Sequence, residues 1–291
     1  MDLLDVILQG ILLGGVYALF ALGLSLVFGI MRLVNLAHGD FIVLAAFVVL
    51  VATSAAGLSL GAATLLAIAV MFALGYVLQR LVLERVLGDD IMPPLLVTFG
   101  LSVIVQNGLL LAFGADSRRL QAGAFETLSV SPVPGLTMGV APLTALVAAI
   151  VAIVLLQLLF YRTAIGRAFR ATADKPEIAQ LMGINQRRIY AIAVGISLAV
   201  SVIAAVSLGL RANFDPSIGP ARLLYAFEAV IIGGLGSLWG TLAGGIVVGV
   251  AQTVGARINP EWQILAGHLA FLAVLMIRPR GLFPGAGHDA R

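Results

Sequence analysis

Few side chains in this sequence could do chemistry, and most of those stand in or beside long apolar runs. Glu228 lies five positions into the apolar stretch that opens at Leu223. A carboxylate at membrane depth is costly enough to mark a functional site. Two quieter fates compete: a place near the outer interface, or pairing with Arg211 or Arg222. A second group, Arg32, Asn35, His38 and Asp40, falls between two apolar runs. His38 and Asp40 lack a nearby third ligand for a metal, and no serine and acid arrangement makes His38 a catalytic base. Interfacial anchoring suits the group better, with Arg32 among headgroups and Asn35 or Asp40 capping the next helix. The third group is Asp174, Lys175, Pro176 and Glu177, inside the polar segment YRTAIGRAFRATADKPEIAQLMGINQRRIY, which holds the only lysine of the chain.

The elements that must position these groups are apolar. Hydrophobic residues make up 61% of the 291 and charged residues 11%, against about 25% charged in soluble domains. Mean hydropathy is +1.10. Such a chain cannot cover a water-facing surface, so its solvent is largely lipid. The net charge of +3 would suggest nucleic acid in a soluble protein, but here the cations punctuate apolar runs and set topology. There is no cysteine, hence no disulfide framework or thiolate chemistry. The first apolar run is too long, and Asp2 and Asp5 too acidic, for a cleaved signal peptide.

A crossing needs about 20 apolar residues. Runs without charge extend over Val6–Met31, Phe41–Gln79, Ile91–Ala115, Thr127–Tyr161, Ile189–Leu210, Ala229–Ala256 and Trp262–Ile277. TSAAGLSLG splits the second near Ala56, and the turn chemistry of SPVPGLTMG delays the fourth helix to about Val140. The class is therefore all-α: a polytopic integral membrane protein of about eight transmembrane helices, forming one domain over 1–291. Cations place 161–190 in the cytoplasm through Arg162, Arg167, Arg170, Lys175, Arg187 and Arg188. Arg278 and Arg280 put the C-terminus there too, and alternation puts the N-terminus outside, although Arg118 and Arg119 run against the bias. An odd number of crossings follows, so Leu223–Ala256 either crosses twice or enters and returns where GGLGSLWGTLAGG breaks it.

Within the polar segment, Asp174 reads as an N-cap, Pro176 as a first-turn residue and Glu177 as its reciprocal acid. Gly183 suits a left-handed stop, with Ile184 after it. A helix of about two turns, Lys175–Met182, is expected between two spans, and Asn185 caps the next one. A short helix displayed in the cytoplasm suits contact with a soluble partner. The bland alternative is a solvated loop that only fixes topology. Glycines Gly14, Gly15, Gly23 and Gly29 early, and Gly233, Gly234, Gly236, Gly240, Gly244 and Gly245 late, permit close helix packing or a permissive passage. Thr98, Ser102, Gln106, Asn107 and Gln157 are candidates for interhelical hydrogen bonds.

GGVYALFALGLSLVFGIMRLVNLAHGDF resembles the first-span signature of the LivH-type permeases of branched-chain amino-acid ABC importers. GRAFRATADKPEIAQLMGI resembles that family's coupling segment, and AFEAVIIGGLGSLWGTLAGG and IRPRGLF its glycine-rich late segment and tail. The resemblance implies a transport subunit, not an enzyme, moving branched-chain or other hydrophobic amino acids across the bacterial inner membrane. It implies no cofactor of its own, since ATP would be bound by partners. Those partners are two ATP-binding subunits, a second, LivM-like permease and an extracytoplasmic substrate-binding protein; nucleic acid is not among them. Coupling would use Arg170, Ala171, Asp174, Lys175, Glu177, Ala179, Leu181 and Gly183, and pathway or gating Asn35, His38, Asp40, Glu228, Gly233, Gly234 and Gly236. In accord, no G-x-x-x-x-G-K-[ST] loop is present, and Lys175 follows Asp174 rather than a glycine. Permeases for urea or short amides share the resemblance. An ion-coupled secondary transporter would need more buried carboxylates than Glu228, and a passive channel would leave 171–183 idle.

Overall fold

Helix α1 (Leu3–Met31) is the axis on which the other helices assemble. It is apolar all round, and nearly all of its residues from Leu12 to Val27 are buried, as expected of a span enclosed by other spans. The structure is a computed structural model that describes residues 3–88, 90–123, 128–133 and 136–283. Asp2, and Pro134 and Gly135 of the expected turn, lie outside the described residues.

The chain then runs α2 (His38–Ser54), α3 (Leu60–Leu81), a 3₁₀ turn at Leu83–Arg85, and α4 (Met92–Phe113). A small antiparallel hairpin, β1 (Ser129–Val133) and β2 (Leu136–Gly139), precedes α5 (Val140–Arg162). It is the one departure from helix among the described elements. The helix boundaries at Ala56 and Val140 fall where the turn residues place them. Beyond α5 come α6 (Ala164–Asp174), α7 (Pro176–Leu181), α8 (Gln186–Arg211), α9 (Gly219–Gly233), α10 (Leu238–Ile258) and α11 (Trp262–Ile277).

The most extensive helix pair is α1 with α10. Gly10 and Gly14 of α1 face Gly245 and Gly249 of α10, so backbone meets backbone. A Cβ on Gly14 would lie 2.5 Å from the Ile246 Cα. Small residues four apart on both helices allow this approach, and dispersion between the two backbones is what it gains. Across the axis, Ser197 of α8 donates to the Gly23 carbonyl at 2.8 Å.

Besides α11, of 16 residues, two apolar helices are too short to cross alone. At about 1.5 Å per residue, the 17 residues of α2 and the 15 of α9 span less than roughly 30 Å of hydrocarbon. Their N-termini meet inside the bundle, where Gly39 packs on the backbone of Gly219 and Leu223. The stretch 223–256 is thereby resolved as two antiparallel helices, α9 and α10, with the glycine break as the turn between them. Gly234 (φ 102) and Gly236 (φ 82) hold that turn in a backbone region that favours glycine.

α3, α4 and α5 each bury one side and expose the other. Leu65, Ile104, Leu111 and Leu155 are among the large side chains left uncovered. Water on these faces would cost about 1.5–3 kcal/mol per large side chain, so lipid or another subunit covers them. Among the described residues, six of the helices are long and apolar enough to cross a membrane, and α2 and α11 are shorter apolar helices.

Candidate functional site

One end of the bundle carries most of the charge. There α6 and α7 form a helix pair rather than the single helix the sequence suggests. Thr163 caps α6 by accepting from the Gly166 N–H at 3.0 Å. Phe169 is fully buried and packs on Phe160, ring centroids 5.4 Å apart, which seats α6 against the end of α5. Arg170 reinforces the joint: its guanidinium donates to the Phe160 carbonyl and lies 4.8 Å from the Tyr161 ring centroid.

The cap assignment changes. Asp174 ends α6 instead of capping the next helix, and Lys175 occupies the N-cap of α7 with no side-chain bond. Pro176 explains the break, because it cannot continue α6 but suits a first turn. The stop at Gly183 is as expected, with φ 83, and the Ile184 N–H returns to the Ala179 carbonyl at 3.0 Å. Asn185 caps α8 by accepting from the Arg188 N–H at 3.1 Å. Of α7, only Ala179 is buried. Ile178 is exposed, Leu181 is 86% exposed and Met182 79%. Ala171, Asp174, Lys175, Glu177 and Gly183 are exposed around them. An ion pair of 2.7 Å between Arg187 and Glu84 ties the start of α8 to the turn after α3.

The glycine turn lies at this same end. Gly29, near the end of α1, packs on Gly236, and Gly233 packs on Gly240. The tail closes over it: Leu282 N–H donates to the Ile232 carbonyl at 2.8 Å and Phe283 N–H to the Gly233 carbonyl at 3.0 Å. These are carbonyls that the end of α9 leaves without helical partners. A cavity of about 280 Å³ beside the turn is lined by Ser25, Gly29, Gln157, Gly236, Trp239 and Phe283, among others. Trp239 donates to Gln157 at 2.7 Å across it.

Deeper in the bundle, Asn35, His38 and Asp40 are all buried, not interfacial. Asn35 accepts from the Ala37 N–H at 3.0 Å, which folds the turn before α2. His38 donates from Nε2 to the Phe20 carbonyl at 2.8 Å, midway along α1. Asp40 does not cap α2; it accepts from the Ser102 hydroxyl of α4 at 2.5 Å, and Gln106 donates to that hydroxyl at 3.0 Å. Ser102 is therefore an interhelical partner, whereas Asn107 and Thr98 bond within their own helix.

Glu228 is 2% exposed and pairs with neither Arg211 nor Arg222. Its partner is His268 of α11, whose Nδ1 donates to it. Nearby, Tyr17 stacks on Tyr225 with centroids 4.9 Å apart and donates to Gln252 at 2.5 Å. His268 and Gln252 escape sequence reasoning because each is an uncharged residue in an apolar run, and only packing brings them to Glu228 and Tyr17. α1, α9, α10 and α11 thus contribute one buried polar cluster.

A family model described as branched-chain amino acid transport system / permease component matches residues 6–277. The chain is 29% identical to the high-affinity branched-chain amino acid transport system permease protein BraD of Pseudomonas aeruginosa, over 96% of this chain and 95% of that protein. It is 28% identical to the permease protein LivH of Escherichia coli, over 94% of this chain and 93% of that one. It is also 26% identical to the LivM permease of Escherichia coli, over 92% of this chain and 68% of that protein.

Proposed function

This chain belongs to the family of branched-chain amino acid transport permease components, and from that premise we propose that it forms one membrane half of an ABC importer for branched-chain or other hydrophobic amino acids. It is a transport subunit and not an enzyme. The observation that carries the coupling mechanism is the apolar knob of Ile178, Leu181 and Met182, standing free on a scaffold of charged residues. An exposed apolar patch rimmed by polar residues is a protein interaction surface. Its partners are two ATP-binding subunits, each gripping one such knob. Arg170, Ala171, Asp174, Lys175, Glu177 and Gly183 surround it, and buried Ala179 anchors it to the bundle. Closure of the ATPase pair moves α7, and the Phe160–Phe169 and Arg170 contacts carry that movement into α5.

The cations of 161–190 support placing this end in the cytoplasm of a bacterial inner membrane, with the N-terminus outside. The chain acts as a single transmembrane domain, with 161–190 as the coupling segment. A LivM-like second permease completes the passage, and an extracytoplasmic binding protein delivers the cargo. Glu228, with Tyr17, Tyr225 and His268, lines that passage. Gly233, Gly234 and Gly236 form a hinge at its cytoplasmic mouth, while Asn35, His38 and Asp40 hold the meeting point of α2 and α9 in place.

Coexpression with the ATPase subunits tests the reading. Wild type should copurify with them and support ATP-dependent leucine uptake in proteoliposomes. Leu181→Asp should lose both while the permease still reaches the membrane. Uptake that persists without any ATPase and collapses with the proton gradient would overturn it in favour of a secondary transporter.

A further inference from the structure

A cavity of about 600 Å³ opens at the charged end between the close of α1, the start of α4 and the α6–α7 joint. That volume falls within the roughly 300–1,000 Å³ usual for small-molecule sites. Its apolar wall includes Phe28, Leu33, Leu87, Pro94 and Leu95. Its polar lining is of mixed charge, with Arg32 beside the carboxylates of Asp90 and Asp174 among the lining residues. Among the described residues, none of these three forms an ion pair. Asp90 accepts only from the nearby Met92 N–H, at 3.0 Å. Thr172 also lines the cavity. It is 1% exposed, and its hydroxyl finds no hydrogen-bond partner, which is unusual for a buried polar atom. Arg32 is the one non-glycine residue of positive φ among the described residues, at 53°, a conformation that clusters at functional sites.

We propose that this cavity binds an apolar α-amino acid on the cytoplasmic side, and that its occupancy restrains the coupling segment so that accumulated product slows further import. The ligand chemistry follows from the lining. Two carboxylates repel a nucleotide or an inorganic anion, whereas a zwitterion satisfies both signs: its carboxylate on Arg32, its ammonium on Asp90 and Asp174, and its side chain against Phe28, Leu33 and Leu95. Restraint follows from position, because Thr172, Asp174 and Pro176 belong to the moving α6–α7 unit while Phe28, Leu87 and Pro94 belong to the membrane helices and their connections. A bound molecule bridges the two and favours one spacing of them. The inference rests on the transport reading for the identity of the product and the side of the membrane. A phosphatidylethanolamine head group offers the same pair of charges, so the experiment separates the two sources.

The complete importer is reconstituted with ATP inside sealed vesicles, with and without millimolar lumenal leucine. Lumenal leucine should lower both the initial uptake rate and ATP hydrolysis about fivefold, the low end of ordinary allosteric coupling. Leu87→Trp, which fills the cavity, and Arg32→Gln should each take up leucine into empty vesicles yet lose the inhibition. In parallel, radiolabelled leucine should bind the complex without its binding protein, and Leu87→Trp should abolish that binding. Robust uptake that ignores lumenal leucine overturns the inference and leaves the transport reading standing. Inhibition equally strong in both variants places the effect elsewhere and also overturns it. Native mass spectrometry that finds phosphatidylethanolamine held against excess leucine, and lost in Leu87→Trp, reassigns the cavity to lipid. If uptake fails altogether the transport reading falls, and the binding arm still decides the cavity.

Discussion

Glu228 and His268 show how a buried charge is kept in a membrane helix. A carboxylate at 2% exposure is tolerable only beside a donor, and His268 supplies one from a different helix. Removing the donor should therefore cost more than removing the pair. His268→Leu leaves an unpartnered buried carboxyl and should lower stability by about 1–3 kcal/mol, read as a fall in unfolding temperature in detergent. The double variant Glu228→Leu with His268→Leu should recover most of that loss. Uptake discriminates a passage role from a structural one: if the pair lines the passage, the refolded double variant still fails to transport. If transport returns with stability, the pair only holds α9 to α11. That Glu228 is a candidate is readable from sequence, because an acid five positions into an apolar stretch is costly, although the same sequence fits a place near the outer interface. Its partner is not readable, because His268 is 40 positions away in a helix with no polar stripe. For the same reason the bond from Ser102 to Asp40 is recoverable only as two separate candidates.

At the scale of elements, glycine decides the architecture in two ways. Along α1 and α10 it removes side chains so that two backbones can touch. Gly14→Leu would force them apart where the two backbones are in contact, and overpacking of this kind costs about 1–3 kcal/mol or more. The expected result is aggregated or degraded protein, scored as the monodisperse fraction after solubilisation, while Gly61→Leu, with open space around it, should behave as wild type. At Gly234 and Gly236 it supplies the positive φ that turns α9 into α10, and the tail then satisfies the carbonyls of Ile232 and Gly233. Truncation after Arg278 removes both donors. It should loosen the turn, detected as faster amide exchange confined to the end of α9. The spans, the split near Ala56 and the late start of α5 were legible because turn residues and charges punctuate a uniform background. The pairing of α6 with α7 was less so. Asp174-Lys175-Pro176-Glu177 satisfies the pattern of a helix start, but α6 runs up to Asp174 first, because Phe169 has a buried seat against Phe160.

The whole molecule has two kinds of uncovered surface. The faces of α3, α4 and α5 are predominantly apolar and suit lipid. The flank of α9 is different: Leu224 is 48% exposed, but its neighbours are the half-buried Arg222 and Tyr225, with Glu228 one turn on. Lipid against so polar a flank would be costly, and on the function proposed above this side would face the passage that a second permease closes. The absence of cysteine permits a clean test. Leu224→Cys should react with a water-soluble maleimide in the assembled importer, and leucine loaded from the binding protein should slow the reaction. Ile104→Cys, more exposed at 67% but on the α4 face, should stay unreactive under the same conditions, because hydrocarbon excludes the reagent. Equal labelling of the two would mean that exposure alone governs access and that α9 has no aqueous side. A reactive Leu224→Cys beside a silent Ile104→Cys would place water along α9, and with it the route by which a zwitterion passes Glu228.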